Sequence, residues 1–322
     1  MKALVTGATG FVGSHLAEAL RRRGDEVTVL ARSASKAAAL APLVVRVVPG
    51  DLHDRAALQR AVEGQDVVYH VAGVVAARSE AEFMAANRDG TRNLVEALEG
   101  TGTGRLVLVS SMAAAGPTIK GRPLRGDEAP RPVTAYGRSK LAAEQAVTAS
   151  RLAWTIVRPP MVYGPRDQEV LKVFRLARLG LAPVLGDGSQ ELSAVHGADL
   201  AEALIAAGTT GGTAGRAYYA CHPEVFTSTE MARAVGRAMG KSPTVIRVPA
   251  TIGRGVLMIT EAAARLTGHT TILTADKANE FFQPAWTGDP GPLTRDTGWR
   301  AARDLRTGLE ETYRWYRTAG WL

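Results

Sequence analysis

A single cysteine, Cys221, excludes an intramolecular disulfide framework and fits a reducing compartment. No apolar run approaches the ~20 residues of a membrane span. The opening residues read as a strand rather than a charged-then-apolar leader, so no signal peptide is expected. The histidines (His15, His53, His70, His196, His222, His269) are dispersed with no pair at metal-ligand spacing, so no metal is expected. Internal repeats and low-complexity tracts are also missing. The formal net charge is +8, yet the cations are scattered. Their one run, Arg21-Arg22-Arg23, sits where a first helix would end and its dipole would be offset. A solvated basic face is therefore preferred to nucleic-acid binding, though the charge helps attract an anionic ligand. The expectation is a cytoplasmic protein with neither nucleic acid nor membrane as partner. At 322 residues it can bury a full core, as one large domain or two lobes.

What is present is organised around its beginning. An apolar run from Lys2 meets Gly7, Gly10 and Gly13, spaced three apart, and an amphipathic stretch follows from Phe11 to Arg22. This predicts strand, tight turn and helix. Gly7 allows the turn, Gly10 lets backbone approach a pyrophosphate, Gly13 lets the helix sit on the strand, and the helix N-terminus faces an anion. The spacing is not the common G-x-G-x-x-G, but the flanking strand and helix supply the context of a dinucleotide site. A second strand, Glu26–Leu30, is followed by Arg32, with Lys36 nearby and no acid in that place. An acid there would bond a ribose 2′-hydroxyl and an arginine a 2′-phosphate, so NADP(H) is preferred and NAD(H) remains possible. The plainer reading of Arg32 is a solvated loop cation.

Further strands are expected at 44–48, 66–71, 105–109 and 154–157, with helices at 54–63, 80–99 and after Thr134. Continuous β-branched runs suit strands covered on both faces, and strand–helix alternation predicts an α/β doubly wound parallel sheet with right-handed crossovers. Ligands gather at the carboxyl ends of such strands, which places Gly7, Arg32, Asp51, Ala72 and Ser111 on one rim. Residues 1–165 form the expected dinucleotide-binding domain. Residues 166–322 are mainly a smaller substrate lobe, some of whose segments return to the sheet. Within that lobe, residues 251–266 form an unusually apolar helix, for which core packing is preferred to a substrate wall.

Tyr136 and Lys140 are four apart and share one helix face. An ammonium beside a phenol lowers the phenol from about 10 toward working pH and makes it a proton donor or acceptor to a substrate oxygen. Ser111, at a neighbouring strand end, can hold the same oxygen. On spacing alone the pair is an ordinary helix-face contact; convergence on the rim gives it weight.

At these residues the chain resembles an extended short-chain dehydrogenase/reductase over essentially its whole length. The matching pieces are Thr6 to Gly13, Gly50-Asp51-Leu52, His70 to Gly73, Asn87 with Gly90-Thr91, Val109 to Ser111, Tyr136 with Lys140, and Arg158 to Pro165. The resemblance implies a Rossmann-type fold with a smaller C-terminal lobe. It implies catalysis by Ser111, Tyr136 and Lys140, with Lys140 also holding the nicotinamide ribose. Gly7, Thr9, Gly10, Phe11, Val12, Arg32, Asp51, Leu52, Val71, Ala72, Gly73, Pro159 and Val162 would line the cofactor. Ser111, rather than Ser110, is chosen by counting back from Gly116, and Asn87 would be structural. Family members commonly dimerise through helices corresponding to 80–99 and 135–150, so a homodimer is expected.

The family divides into nucleotide-sugar epimerases and dehydratases, and reductases of the dihydroflavonol, cinnamoyl and 3β-hydroxysteroid type. Arg32 favours the NADP-using reductases. Leu192 stands where the sugar enzymes tend to carry an arginine, and a diphosphate would lose charge-assisted hydrogen bonds there. The expected walls (Val74, Val75, Met112, Met161, Phe174 and the 251–266 helix) are apolar, and Ala115 in place of a usual aromatic enlarges the pocket. The expectation is an NADP(H)-dependent carbonyl reductase or alcohol dehydrogenase acting on a small-molecule substrate. Its alternatives are an NAD-dependent nucleotide-sugar 4-epimerase or dehydratase, and a non-catalytic redox sensor, whose kind typically lacks the tyrosine or the lysine.

Overall fold

The computed structural model describes residues 1–322 except 33–36, 39 and 44. Lys36 and Val44, the first residue of the expected third strand, therefore lie outside the described residues. The sheet strands β1 (Lys2–Thr6), β2 (Glu26–Ala31), β3 (Arg46–Pro49), β4 (Val67–His70), β5 (Arg105–Val109) and β6 (Trp154–Arg158) are joined by a seventh, Arg216–Tyr219. All run parallel, with the seventh strand at one edge, then β6, β5, β4, β1, β2 and β3.

Alternation along each strand explains the two-sided core. Ala3, Val5, Val67, Tyr69, Val107 and Val109 point to one layer, packed by helices Phe11–Arg22 and Gly197–Thr209. Leu4, Val68, Leu106, Leu108 and Ile156 point to the other, under helices Arg55–Val62 and Gly90–Leu98. A period of two with both faces apolar is what a parallel sheet covered on both sides requires.

The sheet departs from β1 in both directions, toward β2 on one side and β4 on the other. The crevice between their carboxyl ends is thus the switch point where such folds take ligands. Gly7 turns there with φ +75°, and a Cβ on it would stand 2.7 Å from the Ala72 backbone. Gly13 is tighter: its Cβ would lie 2.1 Å from the Gly7 carbonyl oxygen. Because backbone cannot move aside cheaply, Gly13→Ala is expected to cost about 1–3 kcal/mol as overpacking. A urea midpoint unchanged from the parent would refute this.

The second half of the chain forms a lobe with its own core around Tyr163, Leu171, Phe174, Val235 and Tyr316. Phe174 is fully buried, stacked on Tyr313 with centroids 6.0 Å apart and edge-on to Tyr316 at 5.4 Å, so it is core and not a substrate wall. Two segments past residue 166 leave this lobe: the seventh strand extends the sheet, and helix Gly197–Thr209 covers it.

The apolar helix, Ala250–Thr267, differs most from expectation. Only Gly253 and Leu257 are buried, whereas Ile252, Val256, Met258, Ile259 and Leu266 are exposed. It docks by a narrow small-residue face, where a Cβ on Gly253 would come within 2.8 Å of the Phe282 ring. Core packing, the sequence expectation, is therefore incorrect.

Candidate active site

The rim is assembled strand by strand. Thr6 closes β1, and its hydroxyl pairs with His70 Nδ1 at the end of β4 (2.7 Å) while accepting from the Ala72 amide (3.3 Å). His70 Nε2 meets the Thr91 hydroxyl at 2.9 Å, and burial pushes this imidazole down to about 3, so it stays neutral. These bonds fix Val71, Ala72 and Gly73 beside the glycine turn. A Cβ on Gly73 would stand 3.0 Å from Asn87 Oδ1 and 3.7 Å from Lys140 Nζ, which marks a passage only a glycine leaves open.

Helix Phe11–Arg22 begins at Gly10 with no capping side chain and no acid in its first turn. The helices starting at Arg55, Ala135, Gln168, Gly197, Ser228 and Leu305 are all capped by a side chain. Thr9 and Gly10 are exposed, and Phe11 and Val12 half-buried. The uncapped amides and the positive dipole end suit a pyrophosphate, so the residues present fit a dinucleotide. Arg32 is exposed directly after β2. After β3, Asp51 Oδ1 accepts from the amides of His53 (2.8 Å) and Asp54 (3.2 Å), and Leu52 packs beneath Gly90. After β6, the buried Pro159 holds Met112 through its carbonyl (3.0 Å), and Val162 pairs with Val195 on a separate two-stranded ribbon.

Ser111 ends β5 and caps the short helix Met112–Ala115, its Oγ accepting from the Ala113 amide at 3.1 Å. Its neighbour Ser110 is buried and donates to Glu144 (2.5 Å), so Ser111 is the hydroxyl left facing the cleft. Tyr136 and Lys140 lie on helix Ala135–Thr148, started by the Thr134 cap. Lys140 Nζ donates to the Val109 carbonyl at 2.7 Å. Burial brings this ammonium down to about 8, opposed by Glu144. The Tyr136 phenol is pushed up to about 12, chiefly by burial, with hydrogen bonding to Ser111 acting against it and Glu280 with it. The expected lowering by Lys140 does not enter: Ser111 supplies the only lowering influence on this phenol, and desolvation of the phenolate dominates.

Apart from Asn87, for which a structural role is expected, the other groups here are not read from the sequence. Lys277 places its Nζ 5.3 Å from the centre of the Tyr136 ring and pairs with Glu280. Glu280 in turn accepts from the Thr134 hydroxyl (2.5 Å), and Asp276 accepts from the Ala135 amide (2.8 Å). Asn87, in a π-helical turn (Met84–Asp89) within the expected 80–99 helix, bonds both backbone groups of Val74 and the Ser139 hydroxyl. Glu144 grips Arg158 with two hydrogen bonds, at 2.9 and 2.7 Å. Helical spacing from Lys140 could have found Glu144; nothing local announces Lys277.

A cavity of about 160 Å³ opens above Tyr136, lined among others by Val75, Phe83, Glu261, Ile272 and Lys277. Of the expected walls Val75 borders it, while Met112 and Ala115 pack in a cluster with Tyr219 and Cys221. Met161 packs against the lobe core and Leu192 joins the same cluster from a two-residue strand.

Residues 3–221 match the NAD-dependent epimerase/dehydratase family. The chain is 36% identical over 322 residues to ceramide reductase of Caulobacter vibrioides, covering 99% of this chain and 95% of that one. It is 33% identical over 258 residues to 2-alkyl-3-oxoalkanoate reductase of Stenotrophomonas maltophilia, covering 74% and 76%. Among solved structures, UDP-glucose 4-epimerase of Thermus thermophilus in complex with NAD is similar at a TM-score of 0.79 and 26% identity, over 99% of this chain and all of that one (100%).

Proposed function

Because the chain belongs to the NAD-dependent epimerase/dehydratase family and is an NAD(P)-dependent oxidoreductase, we propose that it is an NADP(H)-dependent carbonyl reductase or alcohol dehydrogenase for a largely apolar substrate. The observation that carries the reading is Tyr136, hydrogen-bonded to Ser111 and one helical turn from Lys140, on the wall of a cavity bordered by Val75, Phe83 and Ile272. The relatives named ceramide reductase and 2-alkyl-3-oxoalkanoate reductase support it.

The nicotinamide supplies the hydride when bound. Tyr136 gives the proton to the substrate oxygen in reduction, or takes it in oxidation, and Ser111 holds that oxygen. Lys140 orients the cofactor's ribose from the passage at Gly73 and places positive charge near the phenol as proton transfer proceeds. The uncapped amides of the first helix hold the pyrophosphate. Asp51 and Leu52 border the adenine, and Thr9, Phe11, Val12, Val71, Ala72, Pro159 and Val162 line the rest of the path. The same reading carries a cytoplasmic homodimer.

A nucleotide-sugar 4-epimerase would use the same groups, and the similar Thermus structure favours keeping it in view. Leu192 in place of a cation weighs against it. Cofactor exchange separates the two, since a reductase consumes NADPH in proportion to carbonyl turned over and an epimerase leaves its nucleotide oxidised at the end of each cycle.

Arg32→Asp is expected to weaken NADPH binding by about tenfold or more through loss of a charge-assisted contact to the 2′-phosphate. NADH affinity should hold or improve. Fluorescence titration of both cofactors reads this, and equal parental affinity for NADPH and NADH would remove the NADP assignment.

A further inference from the structure

Helix Ala250–Thr267 turns two different faces to its surroundings. Glu261 and Arg265 border the cavity above Tyr136, so the helix forms part of that cavity's roof. At about 100° per residue, Ile252, Val256, Ile259, Ala263 and Leu266 share an outward arc of about 80°. Ala262 and Met258 widen it to about 160°, with Thr251 the one polar residue inside. Ile259 and Leu266 are 72% and 89% exposed, and with Ile252, Val256 and Met258 they put five exposed large apolar side chains on one helix. Arg254 and Arg265 lie just past the Met258 edge of the arc, and Thr260 and Thr267 past the other. Arg254 rests over the Phe282 ring at 5.2 Å, and Arg265 pairs with Glu261 at 2.5 Å. Between residues 241 and 270 the cations Lys241, Arg247, Arg254 and Arg265 face the single acid Glu261.

We propose that this helix docks the enzyme on an anionic phospholipid surface, its apolar arc sunk among the lipids and the mouth of the cavity held at the bilayer. No helix among the described residues is long and apolar enough to cross a membrane, but lying in an interface needs only an apolar face with cations at its margin. The excess of cations supplies charge complementarity to acidic headgroups. A second copy of the chain fits less well. The exposed arc is broader than a two-helix seam, and 18 residues give fewer heptads than a coiled coil sustains. The docking gives the proposed apolar substrate, on which its biological sense rests, a short path from lipid to Tyr136.

The test is co-sedimentation of the full chain with vesicles of phosphatidylcholine alone or mixed with phosphatidylglycerol. The parent should sediment with the mixed vesicles, less so as salt rises. Ile259→Ser with Leu266→Ser, and separately Ile259→Glu with Leu266→Glu, should sediment about tenfold less or weaker still. Both pairs lie on exposed positions, and circular dichroism checks that they fold. Failure of the parent to bind mixed vesicles would overturn the proposal. So would unchanged binding by the serine pair, or light scattering in which the serine pair turns a parent dimer into monomer. NADPH-dependent reduction of a water-soluble short ketone is followed in parallel and should be unaffected by either pair. If the parent fails only in that assay, the reductase reading falls and the vesicle result still decides the docking.

Discussion

Replacing Tyr136 by phenylalanine is expected to lower kcat by about 10²–10⁴-fold, the usual contribution of a positioned proton donor. The substitution removes one oxygen and little else. The ring would keep its tilted contact with Phe83, 5.9 Å between centroids, and its place under the Lys277 ammonium. The helix would keep its Thr134 cap and the bond from Lys140 to the Val109 carbonyl. Dinucleotide affinity should therefore stay within about twofold of the parent, because the groups proposed to hold it are untouched. Single-turnover NADPH oxidation beside a binding titration separates chemistry from affinity. A protein that signals by binding the dinucleotide would retain its function, and undiminished turnover in the variant would remove Tyr136 from the reaction.

Glu144→Gln should cost stability rather than only activity. The carboxylate is buried, takes two hydrogen bonds from Arg158 and one from Ser110, and is the opposite charge that holds Lys140 up against desolvation. Arg158 is equally buried and held above its ordinary range by this partner, with its guanidinium 5.9 Å from the Tyr219 ring. Removing one member of such a pair leaves the other charge stranded, at about 3–5 kcal/mol. For a chain of this size that is a fall in Tm of roughly 5–15 °C. The double replacement Glu144→Leu with Arg158→Leu should recover much of the loss, since neither charge is then left buried. Calorimetry on the three proteins reads the outcome directly, and a Glu144→Gln protein melting with the parent would show the pair to be dispensable.

The central sheet is legible because its signals are local. Gly7, Gly10 and Gly13 sit between an apolar strand and an amphipathic helix, and β4 and β5 carry the apolar runs Val67-Val68-Tyr69 and Leu106 to Val109. Tyr136 and Lys140 are legible for the same reason, since a spacing of four already implies a shared face. Across the cavity the sequence is silent. Lys277, Asp276 and Glu280 reach Tyr136 and its helix only through the tertiary fold, and no periodicity ties them to it. Phe174 misleads because apolar character suits a pocket wall and a core equally, and only its stacking on Tyr313 decides. The helix Ala250–Thr267 shows the reverse error. Its composition is that of a buried element, yet its neighbours cover little more than Gly253 and Leu257.

The way the second half of the chain re-enters the first has an evolutionary corollary. Arg216–Tyr219 completes the sheet beside β6, and Gly197–Thr209 shields one of its faces. A gene fusion that swapped everything after residue 165 for the corresponding part of another enzyme would therefore also exchange a strand and a covering helix of the central sheet. The second half of this chain can thus be exchanged as loops and short inserts, but not as a cassette joined at one seam.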